Sequence, residues 1–141
     1  MGNTEKQARY AILKKKLSVA LKHGFWMEAC MIEYAIIEDR TAAMLARCDV
    51  CNNPYEKRLR NKLNSLKHQI GKEHPILSKK VKAELLDEVQ AWADGRNALV
   101  HRACREYDEE AARKTAEKGK TLTDAVCNAA QRVQRLAEKT A

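Results

Sequence analysis

The chain has 141 residues, 45% hydrophobic and 33% charged, so it can form one packed domain and is too apolar for a disordered tail. Only 5 Gly and 2 Pro punctuate it, far fewer than a sandwich or barrel of tight turns needs, and good helix formers dominate. A formal net charge of +8 favours polyanionic partners, nucleic acid first, because Lys and Arg displace the counterions condensed on phosphates.

No apolar run reaches the length of a bilayer span, and the N-terminus lacks the basic-then-apolar pattern of a signal peptide. Five cysteines, an odd number, fall mostly on helical apolar positions, which suits a reducing compartment. The expectation is a cytoplasmic protein with no membrane segment.

In chain order, residues 4–23 read as a first helix with Thr4 as N-cap, an apolar stripe of Ile12, Leu13, Leu17 and Leu21, and Gly24 as its stop. Lys14, Lys15, Lys16 and Lys22 read as its solvated face. Residues 25–48 form a long second helix. Phe25, Ala29, Ile32, Ile36 and Ala43 share one face, and Trp26, Cys30, Ile37 and Met44 widen it, as in a helix central to a bundle. Glu33 and Arg40 fall inside that apolar arc. They are read as a structural ion pair, as two snorkelling side chains, or as Glu33 holding a catalytic Arg or His in place.

Asp49 to Pro54 is a loop. Cys48 and Cys51 flank its start, but no second pair stands at zinc-ligand spacing, so no metal or cofactor is expected and two thiols at a helix end is the reading. A third helix spans about 55–72, with Leu59, Leu63, Leu66 and Ile70 inward, closed by Gly71 and Pro75. Its other face carries Lys57, Arg58, Arg60 and Lys62, the densest basic strip in the chain and a path for a phosphate backbone. His23, His68 and His74 read as solvated. Ser78 caps a helix over 79–93, with Val81, Leu85, Val89 and Trp92 inward. Asp94-Gly95 then breaks the pattern, and Asp94 caps a new helix over 95–118. Its stripe is Leu99, Val100, Ala103, Tyr107 and Ala111. Gly119 ends it, and a last helix carries Leu122, Val126, Ala129, Val133 and Leu136 inward. The whole reads as one domain over 1–141: an all-α, up-and-down bundle of five to six helices.

The stretch from Arg96 to His101 points to chemistry. A helix start at Gly95 would expose backbone N–H groups that favour an anion. Arg96 adds a planar cation, and Asn97 and His101, four apart, share one helix edge. Metal-independent RNA cleavage needs these parts. A base removes the ribose 2′-OH proton, the oxygen attacks the adjacent phosphate, a cation holds the developing charge, and an acid protonates the leaving 5′-oxygen. One His cannot easily serve as base and acid in a single step, so two copies in a symmetric dimer would divide the roles.

Arg96-Asn97-Ala98-Leu99-Val100-His101 resembles the Arg-x(4–6)-His motif of the HEPN superfamily (higher eukaryotes and prokaryotes nucleotide-binding domains), in which a polar residue, often Asn, follows the Arg. The resemblance implies a four- or five-helix bundle with the motif at the start of a late helix. It implies a homodimeric endoribonuclease of toxin–antitoxin or phage-defence type, with Arg96, Asn97 and His101 catalytic, RNA as substrate and an antitoxin protein as a possible partner. One subgroup carries a Tyr two residues after the His as a modification target. Position 103 is Ala103, so that control is not expected. The alternative is a non-catalytic helical module that binds RNA or protein. A redox or metal protein built on Cys48 and Cys51 is a third reading. No Gly-rich phosphate loop or nucleophile elbow is present, which sets aside nucleotide hydrolases and esterases.

Overall fold

The computed structural model describes residues 3–141, which form six α-helices with no strand among them: α1 (Asn3–His23), α2 (Trp26–Arg47), α3 (Leu59–Gly71), the single turn α4 (Leu77–Lys80), α5 (Ala83–Arg102) and α6 (Glu109–Thr140). A 3-10 turn, Pro54–Glu56, lies between α2 and α3. The all-α class expected from composition is the class found. Among the described residues no helix is long and apolar enough to cross a membrane.

α2 and α6 make the most extensive helix–helix contact. α1 packs on the first half of α2, where Leu17, Ala20, Ala29, Cys30, Ile32, Ile36 and Ala116 form one buried cluster. On the other side α3, α4 and α5 close a larger core with Ile37, Leu45, Leu63, Leu66, Leu86, Val89, Trp92 and Val126. Gly24 ends α1 with φ of +76°, and the Phe25 amide reaches back to the Ala20 carbonyl at 2.8 Å. That is the six-to-one bond of a Schellman stop, and it needs a left-handed residue in the turn. The turn leaves Phe25 outside the core, stacked on His23, so its expected inward place is wrong. Ile12 is likewise exposed.

Two expected helix boundaries are also overturned. α5 runs straight through Asp94-Gly95, and α6 runs straight through Gly119. Asp94 does not cap a helix; its carboxylate accepts from Gln90 one turn back at 3.0 Å and from Arg60 at 3.2 Å. The true break is the stretch 103–108. There Asp108 Oδ1 accepts from the Glu110 and Ala111 amides at 3.0 and 3.2 Å, with Glu109 and Glu110 adding acid to the first turn. Tyr107, expected on an inward stripe, is exposed in that break. Ser78 caps nothing either, since Val81 and Lys82 are extended and α5 starts at Ala83. His74, read as solvated, accepts at Nδ1 from the Ile76 and Leu77 amides, both at 3.2 Å, and so caps α4.

The two glycines inside helices have opposite meanings. A Cβ on Gly95 would meet nothing within 4 Å, so the neighbouring helix formers simply carry the helix through it. A Cβ on Gly119 would strike the Glu33 carboxylate and lie 2.7 Å from Trp92 Cζ2. Gly95→Ala should therefore stabilise the protein by about 0.5–1 kcal/mol, by removing backbone entropy from the unfolded chain. Gly119→Ala should cost about 1–3 kcal/mol, by overpacking. Urea unfolding of both variants checks this, and a destabilised Gly95→Ala would restore the break at that residue.

Candidate active site

α5 carries Arg96, Asn97 and His101 on its last two turns. The chain presents carbonyls rather than free amides at that end, so the anion-binding helix start expected there is absent. What holds Arg96 is an aromatic face. Its guanidinium carbon lies 4.3 Å from the centre of the Tyr34 ring on α2, and Tyr34 in turn packs against Trp92, 6.4 Å between ring centres. One guanidinium nitrogen, Nη1, donates to Asn97 Oδ1, and Nε is buried with no hydrogen-bond partner. Arg96 and His101, five residues apart, start about 140° from each other around the helix. The bond to Asn97 brings the guanidinium round to the edge that Asn97 shares with His101.

His101 itself is exposed on that edge. Asn97 also lines a cleft of about 240 Å³ with Tyr34, Glu38, Arg58, Arg60 and Asp94. Of the four residues of the expected RNA path, Arg58 and Arg60 face this cleft, Arg60 in an ion pair with Asp94. Lys57 is half-buried just before α3. Lys62 turns inward: it is 3% exposed, and its ammonium donates to the Glu38 carbonyl at 3.2 Å and lies 3.7 Å from the Glu38 carboxylate. It occupies the same stripe as Leu59, Leu63 and Leu66, which the three- and four-residue spacing shows.

Glu33 does not orient Arg96 or His101. It is fully buried against Gly119 and Trp92, and both carboxylate oxygens lack a hydrogen-bond partner. Nor does it pair with Arg40, the expected structural reading, because seven residues of helix put the two about 10 Å apart along the axis. Arg40 instead bonds Asp39 at 2.8 Å and the Tyr10 hydroxyl at 2.9 Å. Burial is the main cause that pushes the Glu33 carboxyl up to about 9, opposed by Lys120 and assisted by Asp124. Burial likewise pushes the Cys30 thiol, one turn away, up to about 12. Cys48 and Cys51, both half-buried, pack against the main core as apolar groups. Among the described residues no three His, Cys, Asp or Glu side chains gather as metal ligands.

Sequence reasoning missed Tyr34, the residue that fixes Arg96. Its signal was its place beside Glu33, on the flank of the wide arc of α2. No protein-family model, curated protein or solved structure matches this chain.

The buried acid has a consequence for stability. Folding raises the Glu33 carboxyl from 4.5 to about 9, so between those values the folded state binds more protons than the unfolded one. Its neutral form is favoured in the fold, and stability is lost as pH rises through that window. Glu33→Gln keeps the shape without a charge to bury. Thermal unfolding followed by circular dichroism should show the variant more stable by several degrees at pH 8 and near parity at pH 5. A difference in Tm independent of pH would mean that the carboxylate finds a partner in solution.

Proposed function

We propose that this domain is a metal-independent endoribonuclease of toxin–antitoxin or phage-defence type, related to the HEPN superfamily. The observation that carries the reading is the Arg96–Asn97 bond, which sets a rigid guanidinium on the helix edge of His101. Arg96, braced by Tyr34, would stabilise the charge on the phosphorane oxygens. His101 would take the 2′-OH proton or supply one to the leaving 5′-oxygen. Arg58 and Arg60, across the cleft from Asn97, would hold the RNA backbone, and Lys62 drops out of that path because it is buried. With one such His per chain, the second proton-transfer group comes from a second copy docked over this end of α5. The exposed side chain of Val100 beside His101 supports a contact there.

A second reading, a non-catalytic RNA-binding module, is favoured by the exposure of His101. The two part at one residue. In excess EDTA, wild-type protein should cut RNA to products ending in 2′,3′-cyclic phosphate, and His101→Ala should lose about 10²–10⁴-fold in rate. Arg96→Ala should lose about 10²–10³-fold. Cleavage that survives His101→Ala removes the nuclease reading, and RNA binding with no cleavage by wild type selects the module.

A further inference from the structure

A cleft larger than the one beside Asn97 lies away from Arg96, where α1, the second half of α2, the 3-10 turn and the second half of α6 meet. About 20 Å of helix separates Tyr34, under Arg96, from Arg47 at the cleft's end of α2. Its volume of about 830 Å³ falls in the range of ligand-binding pockets.

The charges around it are one-sided. Lys6, Lys14, Arg40 and Arg47 line it, and no carboxylate does. Asp39, just outside the lining, is already engaged: it accepts from the Tyr10 hydroxyl and pairs with Lys6 at 3.2 Å and Arg40 at 2.8 Å. Burial works to raise the Asp39 carboxyl, but these bonds and charges outweigh it and hold it below its ordinary value. Asp39 therefore positions two of the cations and offsets part of their charge, while Lys14 and Arg47 have no acid beside them in the lining. Arg40 is the most rigidly placed of them. Its side chain is 20% exposed, stacked 4.8 Å over the Tyr10 ring and bonded through Nε and Nη2, so the guanidinium is fixed before any ligand arrives.

The remaining walls suit the other half of a nucleotide. Tyr55, about half exposed, offers an aromatic face with Lys6 5.5 Å above its ring. α6 contributes Asn128, Gln131 and Gln134, amides that both donate and accept and so match base edges. Fixed cations, a partly exposed aromatic ring and amides within one groove are the parts by which proteins hold a single strand.

We propose that this cleft binds single-stranded RNA, phosphates on Lys14, Arg40 and Arg47 and a base stacked on Tyr55. The proposal does not depend on cleavage by His101. To keep the two apart, binding is measured in the His101→Ala background by fluorescence anisotropy with a fluorescein-labelled decauridylate. Lys14→Glu/Arg47→Glu changes two exposed side chains and should raise Kd at least about tenfold. It should also lower the slope of log K against log salt by about 1.4, the loss of two single-strand phosphate contacts. Tyr55→Ala should raise Kd about 5- to 100-fold, the range for removing one base-stacking ring. Lys118→Glu, an exposed side chain that lines neither cleft, serves as the control. An unchanged Kd and salt slope in the double variant, with its helical circular dichroism intact, overturns the assignment, as does absence of binding by the parent. Displacement of the decamer by uridine monophosphate at equal phosphate concentration would make a free nucleotide the ligand and overturn the strand reading. No displacement supports it.

Discussion

The crossing of α2 and α6 is the constraint on which the rest is arranged. Ala112, Ala116 and Gly119 leave α6 without bulk on one face, and Glu33 and the Trp92 ring fill the space beside Gly119. The Trp92 indole N–H also donates to the Thr115 carbonyl at 2.9 Å, which ties α5 to the same stretch of α6. From there the dependence runs outward. Trp92 sets Tyr34, Tyr34 sets Arg96, and Arg96 reaches Asn97. A buried polar group with no partner is costly, so Glu33 makes this junction a point where packing wins over electrostatics.

The net charge of +8 is distributed with equal economy. Many cations are committed to the protein's own acids: Arg113 to Glu110 and Glu117, Lys118 to Glu88, Lys67 to Asp87, Lys120 to Asp124. Such exposed pairs add little to stability, but they flatten the field over the faces that hold them. The rest gathers in the groove between α1, α2 and α6, where Asp39 meets Lys6 and Arg40 and no carboxylate is among the lining residues beside Lys14 and Arg47. A basic sequence thus becomes a directional surface because its acids are placed elsewhere.

Composition and periodicity made the helical class and most inward faces of α2, α3 and the second half of α6 legible, since burial there follows the three- and four-residue spacing closely. The boundaries around the site were less so. Asp94-Gly95 and Asp108-Glu109 are both plausible helix starts, and only tertiary contacts decide between them: Arg60 and Gln90 claim Asp94, while Asp108 is left to cap. Gly119 read as a stop because its requirement comes from Glu33 and Trp92, distant in sequence. Arg96, Asn97 and His101 were visible as residue types at a spacing. The brace from Tyr34 was not, because a cation–π contact between two helices leaves no periodic mark. The groove between α1 and α6 was hidden for the same reason, its cations being divided between two helices and its aromatic and amide walls lying on two further segments.

The way α6 begins sets how the neighbouring segment can move. Of the helix starts from α2 to α6, that of α6 alone is closed by the side chain of its own N-cap residue, and Glu109 beside it accepts from the Trp26 indole at 3.0 Å. The stretch 103–108 is therefore anchored at its far end. At its near end α5 is followed by loose turns at Ala103 to Arg105, where Ala103 is half-buried and the residues after it are exposed. Local opening in such a structure starts where backbone hydrogen bonds are solvated and little apolar surface is lost. The last turn of α5 can thus unwind while α6 stays whole, and His101 sits on that turn. Its reach is set by how far a helix end frays, with the crossing of α2 and α6 left undisturbed.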